Sequence, residues 1–329
     1  MKRLLAGMIF CLPAAAADPL PALRADAAGV TVSGLSSGGY MAVQFHLAHS
    51  SFVAGAGVIA GGPYYCARGN VWTAYYNCMT PGYWTPLPRI ESLKEATETL
   101  ARAGRVDPTS RLASARAWLF SGTQDRTVYP AVVEALGSFY RAYKANVLLV
   151  NDKAAGHAMV TQSAGNKDCS VSASPFINDC DFDAAGELLG HLLGALAPPA
   201  QKESGRLLRF DQSAFGGYDI SMDDTAFAFV PKACESEKCR IHVAFHGCRQ
   251  HAGAIREQFA REAGYNRWAD TNRLIVLYPQ AIARYGFFTF NPRACWDWWG
   301  YTGANYHTRD GAQMRAVRAM IRKLGSDPD

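Results

Sequence analysis

Three short stretches of this 329-residue chain carry side chains suited to nucleophilic chemistry. Gly34-Leu35-Ser36-Ser37-Gly38 sets a serine between two glycines. Gly122-Thr123-Gln124-Asp125 ends on a carboxylate, and Ala154-Ala155-Gly156-His157 ends on an imidazole. A serine hydroxyl is a poor nucleophile until an imidazole removes its proton, and that imidazole needs a carboxylate to hold its tautomer. Ser36 is therefore the expected nucleophile, Asp125 the acid and His157 the base. Asp152 and Asp168 are rival acids, but Asp152 lies on the strand that presents His157.

The elements around these residues explain why they could meet. Val30-Thr31-Val32 reads as a buried strand and Tyr40–His49 as a helix, so Ser36 falls on the sharp turn between them. Bulky side chains at positions 34 or 38 would collide with strand and helix, and the N–H groups of the helix start face the place where an oxyanion would form. Ala115–Ser121 and Asn146–Val150 read as strands that run into Asp125 and His157. Further strands are expected over 52–60, 207–210, 225–230, 240–245 and 273–278. Helices are expected over 90–104, 130–143, 184–196, 255–271 and 310–324, with an aromatic-rich irregular stretch from Tyr64 to Trp84. Such alternation implies a mainly parallel sheet covered by helices on both faces, with ligands meeting the strand C-terminal ends.

Composition narrows the class. Hydrophobic residues make up 49% of the chain, enough for a sizeable core, and the net charge of +5 comes without a Lys/Arg block, so nucleic acid is not an expected partner. Lys2-Arg3, the apolar run Leu4–Leu12 and the small residues Ala14–Ala17 read as an export signal over 1–17, leaving 18–329 as one catalytic domain. No later run is apolar enough to anchor the chain in a membrane. Of nine cysteines, Cys11 lies in the signal, and the remaining eight suit disulfides in an exported protein. They are Cys66, Cys78, Cys169, Cys180, Cys234, Cys239, Cys248 and Cys295. Sequence alone does not choose their partners; joining nearest neighbours would give 66–78, 169–180, 234–239 and 248–295. No C-x-x-C pair is present. His242 and His246, on one strand, would stand roughly 13 Å apart, too far to share an ion, so neither metal nor cofactor is expected.

His246-Gly247-Cys248 follows a strand in the manner of the loop that donates the second oxyanion N–H in α/β-hydrolase esterases. In that fold the strand precedes the nucleophile, whereas here it comes more than two hundred residues later. A circular permutation removes the anomaly: the segment after Pro198–Gly205 is the usual first half, and 27–197 the usual second half. The expected fold is thus a circularly permuted α/β-hydrolase, stabilised by disulfides.

Five motifs in one order carry a specific likeness: Gly34-Leu-Ser-Ser-Gly-Gly-Tyr-Met, Gly122-Thr-Gln-Asp, Gly156-His-Ala-Met, His246-Gly-Cys-Arg-Gln and Cys295-Trp-Asp-Trp-Trp. Together they resemble the polyhydroxybutyrate depolymerases, in particular the permuted single-domain type, over essentially the whole mature chain. The resemblance implies a Ser36–Asp125–His157 triad, an oxyanion hole from the backbone N–H groups of Ser37 and Cys248, and hydrolysis of poly(3-hydroxybutyrate) or its oligomers in the medium or periplasm. The Thr-rich linker and separate polymer-binding domain of many secreted members are not expected here. A methyl-bearing polyester suits an aromatic groove. Trp296, Trp298, Trp299 and Tyr301 are the first candidates for it, then Tyr65 and Trp72. Feruloyl and acetylxylan esterases share the His-Gly-Cys and Trp-Trp motifs and form the competing reading. A non-catalytic polymer-binding protein would have no need of the triad.

Overall fold

The computed structural model describes residues 17–163, 165–286 and 289–327. Residues 1–16 of the expected export signal lie outside the described residues. The centre of the molecule is a nine-stranded sheet. In chain order its strands are β1 (Asp18–Pro19), β2 (Asp26–Leu35), β3 (Val53–Ile59), β4 (Arg116–Phe120) and β5 (Asn146–Val150). Then follow β6 (Arg206–Asp211), β7 (Thr225–Val230), β8 (Arg240–Phe245) and β9 (Leu274–Tyr278). Across the sheet they run β1-β6-β7-β9-β8-β2-β3-β4-β5. The six strands from β9 to β5 are parallel, and β7 is antiparallel to both its neighbours.

Counted from residue 206, the eight longer strands lie in the order first, second, fourth, third, fifth, sixth, seventh, eighth, with the second reversed. That is the α/β-hydrolase sheet, entered part-way through. The N–H groups of Leu23 and Ala25 both donate to the Leu324 carbonyl at 3.0 Å, so the entry into β2 sits against the end of the C-terminal helix.

β2 lies mid-sheet, and its residues from Val30 to Leu35 are all buried, as a strand covered on both faces must be. The two polar side chains in that buried run are satisfied from β8. The His242 ring bridges Thr31 Oγ1 at 2.8 Å through Nδ1 and Ser33 Oγ at 2.7 Å through Nε2. Helices α1 (Ser37–Ala48), α2 (Val71–Cys78), α3 (Ile90–Arg102), α4 (Pro130–Arg141) and α5 (Ala184–Leu193) come before the 198–205 stretch. After it come three short helices, α6 (Ala252–Ile255), α7 (Gln258–Glu262) and α8 (Tyr265–Thr271), then the terminal α9 (Ala312–Gly325). One apolar core joins α1, α4 and α9 to one face of the sheet through residues such as Phe45, Leu136 and Val317. A second joins α5, α7 and α8 to the other face through Leu188, Phe259 and Tyr265.

Two expectations need correction. The stretch from Tyr64 to Trp84 is not wholly irregular, because Asn70 Oδ1 accepts the N–H groups of Trp72 and Thr73 and starts α2 there. The helix expected over 255–271 is broken twice, where Arg256 (φ 55°) and Gly264 (φ 91°) turn left-handed. The 198–205 stretch is strapped to α8: Ala200 N–H donates to the Arg267 carbonyl, and Ser204 and Gly205 N–H groups donate to Asp270.

Leu324 closes the core while its carbonyl holds the chain entry, so α9 belongs to the cooperative unit. Leu324→Ala is expected to lower unfolding free energy by about 2–5 kcal/mol, the usual cost of emptying a buried leucine site. Urea denaturation checks it, and a loss below about 1 kcal/mol would place α9 outside that unit.

Candidate active site

Ser36 stands alone between the end of β2 and the start of α1, with φ 56° and ψ −121°. For a residue with a side chain this left-handed backbone is strained, and it persists only because its surroundings fix it. Ser36 N–H donates to the Ile59 carbonyl at 2.9 Å, and the Ser36 carbonyl accepts from Tyr40 N–H at 3.0 Å. The flanking glycines admit no substitute. A Cβ on Gly34 would lie 2.3 Å from the Gly38 carbonyl, and one on Gly38 would lie 2.3 Å from the Phe245 carbonyl oxygen. The turn is therefore wedged against the end of β8.

Asp125 and His157 come from the loops after β4 and β5, which are braced together. Thr123 N–H donates to the Lys153 carbonyl and Gln124 N–H to the Ala155 carbonyl. Asp125 Oδ1 accepts the N–H groups of Thr127 (2.7 Å) and Val128 (3.0 Å), which leaves Oδ2 for His157 Nδ1 at 2.7 Å. With Nδ1–H donating to that oxygen, Nε2 is left as a bare acceptor. His157 N–H is held by Ser172 Oγ at 2.8 Å. All three groups are shielded, with Ser36 8%, His157 5% and Asp125 1% exposed.

The loop after β8 is equally fixed. His246 Nδ1–H donates to the Gly247 carbonyl at 2.7 Å, and Nε2 accepts from Ala281 N–H at 3.0 Å. Gln250 Oε1 accepts from Gly247 N–H, and its Nε2 donates to the carbonyls of Pro175 and Phe176. The N–H groups of Gly247, Arg249 and Gln250 are thus all bonded, whereas that of Cys248 has no partner among the described residues. Ser37 opens α1, so its N–H also lacks an intrahelical acceptor. The Cys248–Cys295 disulfide ties this loop to the segment 295–302, and the other three pairs are 66–78, 169–180 and 234–239.

A cavity of about 380 Å³ opens over Ser36 and His157. Trp298 lines it, stacked on Tyr40 with ring centroids 3.9 Å apart, and Trp299 stands beside it. The other aromatic candidates are elsewhere. Trp296 is 0% exposed and packs edge-on against Phe245 in the core. The Tyr301 hydroxyl turns inward to the Cys295 carbonyl at 2.6 Å. Tyr65 stacks on His307 in a separate cavity. Trp72 is 66% exposed on α2, whose Val71, Ala74 and Tyr75 face the cavity in its place.

Sequence reasoning gave no role to two residues inside motifs it quoted. One is Gln250. The other is Asp297, whose two oxygens accept five bonds from Trp299, Gly300, Tyr301 and Thr302 and so set the tryptophan loop. Burial pushes the Asp297 carboxyl pKa up, and these donors oppose the rise. His242 and His246 bond to protein groups on both ring nitrogens, and no cluster of His, Cys, Asp and Glu suited to a metal exists among the described residues.

No family model matches the chain. It is 44% identical over 319 residues to a poly(3-hydroxybutyrate) depolymerase of Delftia acidovorans; the match takes in 94% of this chain but only 62% of that relative's length. It is 39% identical to a polyhydroxybutyrate depolymerase of Talaromyces funiculosus, over 94% of both chains. Among solved structures it resembles the PHB depolymerase of Penicillium funiculosum, with a TM-score of 0.86 at 37% identity, covering 94% of this chain and 100% of that one. A PHB depolymerase with a serine-to-alanine substitution, complexed with an R3HB trimer, gives the same TM-score and coverage at 36% identity.

Burial lowers the pKa of both His242 and His246 to about 3. In the unfolded chain each titrates near pH 6.5, so below that pH the unfolded state binds protons that the folded state refuses. Stability should therefore fall on acidification, by up to about 1.4 kcal/mol per pH unit for each ring. The buried rings of His46, His49 and His307, lowered to between about 3 and 4, act in the same direction. Urea midpoints should drop from pH 7 to pH 5, while most carboxylates are still ionised. An unchanged midpoint over that interval would show these rings protonated in the fold.

Proposed function

Because the chain belongs to the polyhydroxybutyrate depolymerase family, we propose that it is a serine esterase that hydrolyses poly(3-hydroxybutyrate) and its oligomers. The observation that carries the reading is the Asp125–His157 bond of 2.7 Å, formed beside a strained, glycine-flanked Ser36 in one cavity. Asp125 fixes Nδ1–H, and the bare Nε2 of His157 takes the Ser36 proton as Oγ attacks the ester carbonyl. The oxyanion that forms is met by the N–H groups of Ser37 and Cys248, both free of internal acceptors and held rigid by their neighbours. His157 then returns the proton to the departing alcohol. Water, activated by the same nitrogen, releases the acyl group from Ser36.

The relatives' names supply the substrate class, and the cavity suits it. Leu35, Val71, Val128, Trp298 and Trp299 offer apolar surface to methyl-bearing units. Trp298 and Trp299, which line the same cavity as Tyr75 and Phe290, would hold units next to the scissile bond. The four disulfides fit an exported protein, in keeping with an export signal over 1–17. Residues 18–329 form one catalytic domain in this reading, with 198–205 as the permutation join.

Incubating the protein side by side with amorphous poly(3-hydroxybutyrate) granules and with feruloyl esters tests the assignment. The granules should clear and the feruloyl ester should persist; the reverse result would move the protein to the other esterase class. Ser36→Ala should reduce turnover on any ester by on the order of 10⁶-fold with an unchanged urea midpoint. Retention of even a hundredth of the original rate would remove Ser36 from the nucleophile's role.

A further inference from the structure

The cavity over Ser36 is mostly apolar, yet two arginines line it, Arg249 and Arg293, and no Asp or Glu is among its described lining residues. Six other arginines, among them Arg24, Arg206 and Arg273, form ion pairs with carboxylates. Arg249 and Arg293 form none among the described residues and are exposed. They are also built as a pair. Arg249 N–H donates to the Arg293 carbonyl at 2.7 Å, and the two residues flank the Cys248–Cys295 disulfide. Arg249 holds a left-handed backbone, φ 65°, a strained state that for a non-glycine residue needs support from its surroundings.

Two guanidinium groups beside an apolar groove do nothing for the interior of a polyester, which is uncharged. They do suit a carboxylate, whose geometry the guanidinium fork matches. A chain of 3-hydroxyacid units has one such group, at its acid end. Resting on the esterase reading above, we propose that Arg249 and Arg293 form a subsite for the free terminal carboxylate of short oligomers. In such a chain the carboxylate always lies on the alcohol side of the scissile ester. The pair therefore holds the departing segment, and the enzyme shortens oligomers from the acid end, releasing a hydroxyacid whose carboxylate faces the arginines.

Binding to Ser36→Ala protein separates this claim from catalysis. Calorimetry at low salt would compare the (R)-3-hydroxybutyrate trimer as its free carboxylate with the same trimer as its methyl ester. The carboxylate should bind about 3- to 10-fold more tightly, the range expected for two exposed ion pairs. Adding Arg249→Gln and Arg293→Gln should bring the ratio close to one, while Arg249→Lys with Arg293→Lys should keep part of it. In about 1 M salt, where screening is nearly complete, the preference should shrink. Equal affinities in the Ser36→Ala protein, or a ratio that survives the double glutamine change, would overturn the subsite. Turnover of the methyl ester by the unsubstituted enzyme reports on the esterase reading alone. Its absence beside an intact affinity ratio would remove that reading and leave the carboxylate subsite standing.

Discussion

The passage of Gly38 beneath the end of β8 is the contact on which the site depends. The backbone oxygens of Phe245 and His246 come so close that a Cβ at residue 38 would lie 2.3 and 2.5 Å from them. Two segments separated by more than two hundred residues meet there without a side chain between them. One carries Ser36 on its strained turn, and the other carries the bare N–H of Cys248. In the proposed mechanism, wider spacing would put Ser36 and the N–H groups of Ser37 and Cys248 out of reach of one carbonyl carbon and its oxygen, since such donors act at about 2.7–3.1 Å. The hydrogen bonds of Ser36 to Ile59 and of His246 to Gly247 and Ala281 then keep both segments from relaxing away.

Much of the support is polar and buried, which is demanding. A half-satisfied polar group in a core costs more than an apolar one would, so such networks must be complete to be useful. Around His246 and Gln250 the completeness is visible, with donors and acceptors on Gly247, Pro175, Phe176 and Ala281 all matched. Asp297 acts likewise in the tryptophan loop, and Gln44 reaches from α1 to the Asp297 carbonyl at 2.8 Å. Through these bonds and the Cys248–Cys295 bridge, the cavity wall is continuous with α1, the helix that begins directly after Ser36. Rigidity at the site thus comes from several loops bonded to one another rather than from any single element.

Ser36, Asp125 and His157 were legible as candidates because each sits in a short loop after a strand of recognisable composition, and the order of those strands is a local property of the chain. The sequence left the cysteine pairing open. The structure joins nearest neighbours, three of them across separations of 5 to 12 residues, which bring such residues together whatever the rest of the fold does. Cys248 and Cys295, by contrast, are 47 residues apart. The aromatic candidates were not legible. Trp296 and Trp298 look equivalent in Cys295-Trp-Asp-Trp-Trp, yet one fills the core and the other stacks on Tyr40 in the cavity. The segment is not a strand, so alternation has no meaning there. Five bonds from residues 299–302 to Asp297 fold the chain into a loop there, and one carboxylate in a motif gives no hint of them. In the same way, the left-handed turn at Arg256 breaks a stretch whose spacing reads as continuous helix.

The circular permutation leaves the chemistry untouched for a topological reason. The loops that carry Ser36, Asp125, His157 and Cys248 each leave the C-terminal end of a parallel strand, β2, β4, β5 and β8 in turn. The chain enters β2 and β6 at the opposite edge of the sheet. There Leu23 and Ala25 are bonded to Leu324, and the 198–205 stretch is bonded to α8. Cutting a connection and making another at that edge changes which loops must be closed. The closure term grows only as the logarithm of loop length, so the entropic difference is small. Strand neighbours, registers and the contact at Gly38 do not depend on which connection is covalent. The order of motifs along the sequence can therefore rotate while their arrangement in space stays the same, and Ser36, early in the chain, still shares a cavity with the Cys248 loop more than two hundred residues later.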